Sequence, residues 1–370
     1  MINNEYPPEI LYMSTIKLIT ALEKIIQENN HYDHLRQPLQ KWLNTADLKA
    51  LYHINVYRLA DTLNLDRNTL LRLFIIVTYH SVFNINWDFH SPFCNAVVAS
   101  HNRFSESTTE NFCPVKKERF RNELNSTVEV TFTPQESYIE FPDDFIKLHN
   151  KIIMQQAMAG TLEMPDPYVT GFDCLHVPEF LDLFYDDVPA ADENLYINNV
   201  TLMFTDIKGS TQLYDTLGDA TAYGLVRDHF NIMFKTVSAH DGIIIKTIGD
   251  AVMASFKKPE HAVAAALAIQ SEFAAFNTRE NLPGEIIIKI GMHSGSTIVV
   301  NLNRHIDYFG QTVNLTARIQ NVAQGGDITI SEEMRNNPNV IALLKQHVSS
   351  LTKIKVHLKG IEQDKIIYRI

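Results

Sequence analysis

Cysteine is scarce: three residues, Cys94, Cys113 and Cys174, in a chain of 370. A sparse, odd-numbered set excludes a scaffold built on disulfides and fits a reducing compartment, so a cytoplasmic protein is expected. Long apolar runs are missing too. The nearest, Leu70–Phe83, is broken by Arg72 and His80, so no membrane span is expected. The opening Met1-Ile2-Asn3-Asn4-Glu5 has neither the basic start nor the apolar core of a secretion signal. Basic residues are outnumbered, 32 Lys and Arg against 43 Asp and Glu, for a formal net charge of −11. Such a chain repels nucleic acid overall. Its densest basic cluster, Lys116, Lys117, Arg119 and Arg121, reads as a solvated face, so no nucleic-acid partner is expected.

What is present suits a globular protein: 45% hydrophobic and 20% charged residues, over a length that accommodates two domains. Ile16, Leu18, Ile19, Leu22, Ile25 and Ile26 recur at helical spacing. Two more helices are expected between Asn55 and Phe83, with Asn64-Leu65-Asp66 as the turn. Val56, Leu59, Ala60 and Leu63 face inward on the first, and Leu70, Leu71, Phe74 and Val77 on the second. The pair resembles a helix-turn-helix, but a packed helical hairpin explains it without DNA. Thr127–Thr133 alternates as a strand, ended by Pro134. Pro165–Asn199, rich in Pro, Asp and Asn, reads as a connector. The expected division is 1–195 and 196–370.

Beyond the connector, strands and helices mix. Val200–Phe204, Ile243–Thr247, Ala251–Phe256, Ile286–His293 and Asp327–Ile330 are expected strands. Asp219–Ala239, Glu260–Asn277 and Thr312–Val322 are expected helices, the first capped by Asp219 and the second following Pro259. This implies α+β architecture, an α/β sandwich with helices packed on a sheet that its hairpin keeps from being purely parallel.

Three segments carry chemistry. In Phe204-Thr205-Asp206-Ile207-Lys208-Gly209-Ser210-Thr211 a strand ends in a carboxylate, and a Gly209-Ser210-Thr211 turn follows whose N–H groups can cradle phosphate. Helix capping explains the same pattern. In Lys246-Thr247-Ile248-Gly249-Asp250-Ala251, Asp250 sits at a hairpin tip. Two carboxylates at neighbouring strand ends suit a two-metal phosphoryl-transfer site, while plain turn chemistry also accounts for Gly-Asp. In His305–Arg318, Asn314 and Arg318 stand four apart on one helical face, able to orient a ribose and place a cation on phosphate.

In this order the three segments resemble the catalytic domain of class III adenylyl and guanylyl cyclases, over about Asn199–Ile370. The resemblance implies a ferredoxin-like α/β sandwich with a mixed sheet, preceded here by a helical and small-β amino-terminal domain. It implies that Asp206 and Asp250, with the carbonyl of Ile207, hold two divalent cations, Mg²⁺ or Mn²⁺. The ribose 3′-hydroxyl of the nucleotide then attacks its own α-phosphate and pyrophosphate leaves. It makes Lys246 and Asp307 the base selector. A lysine donates to the adenine ring nitrogen and an aspartate accepts from its amine, whereas guanine reverses both demands, so ATP is the expected substrate. Asn314 would orient the ribose, Arg318 would stabilise charge on the transferring phosphate, and Lys359 of Leu358-Lys359-Gly360 would reach the terminal phosphates. Because family sites lie between two cyclase domains, a head-to-tail homodimer with shared active sites is implied. A cyclase of GTP or a pyrimidine nucleotide, and a catalytically silent nucleotide-binding module, are the competing readings. Lys246 with Asp307, and the intact carboxylate pair, argue against them.

Ile54–Ala60 and Trp87-Asp88 resemble a region found ahead of some bacterial cyclase domains, which often carries a four-cysteine zinc ribbon. Here Cys94 and Cys113 stand in for two Cys-x-x-Cys pairs. Two of four thiolates are missing, and His90 and His101 sit at irregular spacing, which argues against bound zinc. A sensing or regulatory role is the expectation for this half.

Overall fold

A computed structural model describes residues 8–190, 192–280, 282–302, 305–361 and 363–370. The reading of Met1–Glu5, and Ala191 of the connector, lie outside the described residues. Chain contacts divide the molecule into two units: Met1–Tyr196 with Asn301–His305, and Ile197–Val300 with Ile306–Ile370.

The first unit opens with five helices: α1 (Pro8–Glu28), α2 (Arg36–Leu43), α3 (Leu48–Leu51), α4 (Val56–Leu63) and α5 (Arg67–Tyr79). Five strands follow: β1 (Phe83–His90), β2 (Val97–His101), β3 (Glu110–Cys113), β4 (Glu118–Arg121) and β5 (Val128–Pro134). Helices α6 (Asp143–Ala159), α7 (Gly171–Leu175) and α8 (Pro178–Leu183) complete it. Asn55 and Asp66 cap α4 and α5, accepting from the N–H of Arg58 and Thr69, so the expected helical hairpin forms where its polar residues allow helices to start. Strands β2, β1 and β5 make an antiparallel sheet, and β3 with β4 a separate hairpin.

Two sequence expectations change here. Phe83 begins β1 rather than ending a helix: Phe83, Ile85, Trp87 and Phe89 alternate with polar residues, a period of two that the preceding helical run masks. Pro165–Asn199 is no open connector, because it forms α7, α8 and the start of the next strand and buries Phe172, Leu175 and Phe180. Thr170 starts α7 with a capping box to Asp173.

The second unit alternates strands and helices: β6 (Leu195–Ile207), α9 (Ser210–Leu217), α10 (Asp219–Ala239), β7 (Gly242–Ile248), β8 (Ala251–Phe256), α11 (Pro259–Phe276), β9 (Ile288–Leu302), β10 (His305–Phe309), α12 (Gln311–Gln320), β11 (Ile328–Ser331), α13 (Glu332–Arg335), α14 (Pro338–His347), β12 (Thr352–Val356) and β13 (Lys365–Arg369). The sheet order is β12-β13-β11-β9-β6-β8-β7, with β10 on β9. Strand β11 runs parallel to β9, whereas β8 is antiparallel to both β6 and β7, so the sheet is mixed. Helix α10 joins β6 to β7 and α11 joins β8 to β9. The run β9-β6-β8-β7, which ends the sheet at β7, is with these two helices the ferredoxin-like arrangement. Asp219 does not cap α10. Gly218 holds the cap position without a side-chain bond, and Asp219 stands in the first turn, where the helix dipole favours a carboxylate.

The core lies between this sheet and α10, α11 and α14. Helix α11 turns Ala262, Val263, Ala265, Ala266, Ile269, Phe273 and Phe276 inward, and each large apolar side chain buried there contributes about 1.5–3 kcal/mol. His229 breaks the apolar face of α10. It is fully buried against Phe230 and Phe273, and burial pushes its imidazole down to about 4. A depressed histidine contributes stability that is present above its ordinary value of 6.5 and lost as the pH falls toward 4, because the unfolded chain takes up the proton first. The loss amounts to about 3 kcal/mol. His229→Leu is therefore expected to flatten the dependence of the urea midpoint on pH between 6.5 and 4 relative to the parent chain. Parallel loss in both proteins would contradict this assignment.

Candidate active site

Strand β6 is central and buried from Val200 through Thr205, so its apolar run is that of a strand covered on both faces. At its tip the chain becomes half-exposed at Asp206 and turns through Gly209, at φ 71°, into α9. The antiparallel register of β6 on β8, Thr205 facing Val252, carries the β7–β8 turn to the same end of the sheet. Gly249, at φ 63°, forms that turn, and Asp250 follows it. The Asp250 carboxylate accepts from the Ile207 N–H at 3.2 Å, which sets it beside Asp206. The Asp206 carboxylate is paired with Lys289 Nζ of β9 at 3.0 Å.

On the same hairpin, β7 carries a bulge. Ile244 faces Ala254 but Lys246 faces Met253, so one extra residue re-aims the side chains that follow. Lys246 reaches Asp307 of β10, donating from Nζ to Oδ2 at 2.5 Å. Asp307 is almost fully buried and its second oxygen accepts the Tyr308 N–H at 2.8 Å, so both acceptors are satisfied.

Helix α12 lies tight against β9. A Cβ on Gly291 would stand 2.2 Å from the Gln320 backbone, and one on Gly295 2.6 Å from Thr312 Oγ1. Gln320 and Thr312 are buried, while Asn314 is exposed and Arg318 half-exposed on the other side of the helix. The Arg318 guanidinium lies against Gly360, Nη2 being 3.3 Å from where a Cβ would be, so the Lys359-Gly360 turn meets Arg318. Lys359 itself is exposed.

The expected residues thus fall into three groups: Asp206, Ile207 and Asp250; Lys246 and Asp307; Arg318 with the Lys359-Gly360 turn, Asn314 one helical turn earlier. Among the described residues no hydrogen bond or ion pair joins one group to another. Gly209, Ser210 and Thr211 begin α9 beside the first group. Sequence reasoning passed over Lys289. A lone lysine inside the apolar Ile286-Ile287-Ile288-Lys289-Ile290 run was its available signal.

Among the described residues no three His, Cys, Asp or Glu side chains group to hold a metal ion. The Asp206–Asp250 end offers two carboxylates plus backbone carbonyls. Cys94 and Cys113 meet at 3.6 Å, inside an apolar cluster with Ala96, Phe120 and Ala157. His90 is taken up by the Asn95 carbonyl and by Glu129.

A family model for the Adenylate and Guanylate cyclase catalytic domain matches residues 193–370. A second, for a Family of unknown function (DUF5939), matches residues 15–273. Adenylate cyclase 1 of Rhizobium meliloti is 32% identical over 134 residues, 33% of this chain and 20% of that protein. The adenylate cyclase of Lachancea kluyveri is 29% identical over 154 residues, 36% of this chain and 8% of its own length. That of Anabaena cylindrica is 26% identical over 201 residues, 49% of this chain and 39% of that one. The match therefore spans a fifth or less of the first two relatives. Among solved structures, the adenylyl cyclase CyaB from P. aeruginosa aligns over 48% of this chain and 95% of its own, at 24% identity and a TM-score of 0.42. With 15–273 matched by its model the chain belongs to the DUF5939 family, and its residues 193–370 are a class III adenylate and guanylate cyclase catalytic domain.

Proposed function

We propose that residues 196–370 convert ATP to 3′,5′-cyclic AMP and pyrophosphate at sites shared by two copies of the chain, and that residues 1–195 regulate this turnover. The observation that carries the reading is the meeting of Asp206 and Asp250 at one end of the sheet, through the Asp250–Ile207 hydrogen bond. The donor set fits hard divalent cations, Mg²⁺ or Mn²⁺: two carboxylates, with the Ile207 carbonyl as the neutral oxygen ligand. The Lys289 ammonium already answers the negative charge of Asp206. Bound there, such ions supply Lewis-acid activation of the ribose 3′-hydroxyl and neutralise the triphosphate.

The chain's own residues do the rest. Lys246 and Asp307 present a donor and an acceptor side by side, matched to the ring nitrogen and amine of adenine. Lys289, when Asp206 turns to a cation, has the triphosphate as its replacement anion. The N–H groups of Gly209, Ser210 and Thr211 cap the phosphates at the start of α9. Asn314 orients the ribose, Arg318 stabilises charge on the transferring phosphate, and Lys359 meets the terminal phosphates.

Lys246 and Asp250 share one hairpin yet belong to separate groups, which supports a head-to-tail dimer in which each serves a different site. Mixing an Asp206→Ala chain with an Arg318→Ala chain tests the reading. Each alone is expected to be inactive on ATP, and heterodimers are expected to regain one good site in two. Heterodimers shown to form without regaining cyclic AMP production would contradict shared sites.

A further inference from the structure

The amino-terminal unit holds three thiols that the cyclase reading does not use, and two of them, Cys94 and Cys113, meet. Cys94 sits in the tight turn after β1, where the Asn95 N–H donates to the Ser91 carbonyl at 2.8 Å and Asn95 adopts φ 60°. Cys113 ends β3, in the turn to β4, where the Lys117 N–H donates to the Cys113 carbonyl at 2.8 Å and Lys117 adopts φ 58°. The two turns face each other, so that Sγ of Cys94 and Sγ of Cys113 stand 3.6 Å apart, in van der Waals contact. Ala96, Phe120 and Ala157 close around them, with Val98, Val115 and Leu162 behind. Among the described residues no third metal ligand approaches.

We propose that Cys94 and Cys113 are a redox-modified site, cycling between a dithiol and an intramolecular disulfide, with a hydroperoxide as oxidant and a small dithiol as reductant. A disulfide needs the sulfurs at about 2.05 Å, so the two turns must close by roughly 1.5 Å. Cys94 lies on a turn outside any strand, and Cys113 is the last residue of β3, paired with Glu118 at the end of a two-stranded hairpin, where such a shift is least opposed.

Cys113 is the attacking sulfur. Burial pushes its thiol up, but hydrogen bonds from Ser91, from the Lys116 N–H, from Cys94 and from the Val115 N–H more than offset this and hold it below its ordinary value. Its thiolate attacks one peroxide oxygen, the O–O bond breaks, and the other oxygen leaves as hydroxide or alkoxide and takes a proton. Cys113 becomes a sulfenic acid. The Cys94 sulfur then attacks the Cys113 sulfur. The S–S bond forms, the S–O bond breaks, and water leaves with the Cys94 proton. Two electrons pass from the sulfur pair to the peroxide. Thiol exchange with the dithiol reverses the bond and oxidises the reductant to its own disulfide. Cys174 provides an internal control: it is as fully buried as Cys113, but burial holds its thiol well above the ordinary value.

The test uses the reduced full chain, exposed to hydrogen peroxide, quenched with N-ethylmaleimide, digested without reductant and read by mass spectrometry. The expected result is a Cys94–Cys113 linked peptide pair lacking two hydrogens, Cys174 still alkylated, and both thiols restored by dithiothreitol. In Cys94→Ser, Cys113 is expected to be trapped as a sulfenic acid by dimedone. The proposal is overturned if peroxide leaves both thiols alkylated, if Cys174 oxidises first, or if the purified chain carries a zinc ion that shields the pair.

Discussion

Asp250→Ala is expected to reduce cyclic AMP formation by at least about 10³-fold, a loss of roughly 4 kcal/mol of transition-state stabilisation, while the protein remains folded. The two halves of this expectation have separate causes. Asp250 lies half-exposed at a hairpin tip, where it accepts from the Ile207 N–H, so its removal costs the fold about 1 kcal/mol. On the proposed function it is one of two carboxylates that hold the cations, and among the described residues no third metal-ligating side chain groups with them to replace it. Asp206→Ala is expected to match it in activity but to cost more in stability, because it leaves Lys289 without its partner. Turnover measured beside the urea midpoint separates the effects. Full activity in either variant would end the two-carboxylate reading.

The second large effect concerns the base. Lys246→Glu combined with Asp307→Cys reverses the donor and acceptor that the proposed function sets against the purine. Each mispaired buried group costs about 1–3 kcal/mol, so the ratio of kcat/KM for ATP over GTP is expected to fall by roughly 10²-fold or more. The geometry explains why the substitutions belong together. Asp307 is buried with its oxygens on Lys246 and the Tyr308 N–H, so Asp307→Cys alone strips Lys246 of its partner. An unchanged ratio in the folded double variant would show that the base is read elsewhere.

The comparison of sequence with structure divides along physical lines. The longer elements of 197–330 were legible because they carry clean periods, Asp219–Ala239 being read to its observed ends, whereas the short α9, β10, α13 and α14 were not. Strand β1 was missed because it follows a helix buried nearly all round, and a continuous apolar run hides where the period changes. Strands β12 and β13, which lie at one side of the sheet, were passed over because the exposed residues of β12 and the half-buried charged ends of β13 blur the alternation. The candidate site was legible as residue types in order, not as geometry. The Asp250–Ile207 bond depends on the register of β8 on β6, and the aim of Lys246 on a one-residue bulge, neither of which a single sequence displays. The Lys289–Asp206 pair joins residues 83 apart and follows from β9 lying next to β6.

The most direct measurement is to incubate purified full-length chain with each nucleoside triphosphate and Mg²⁺ or Mn²⁺ and identify the products by mass. The account predicts 3′,5′-cyclic AMP and pyrophosphate from ATP, lost in Asp250→Ala. A different cyclic nucleotide would keep the chemistry and contradict the role given to Lys246 and Asp307. No cyclic product from any triphosphate, from either the full chain or residues 199–370, would contradict the proposed activity itself.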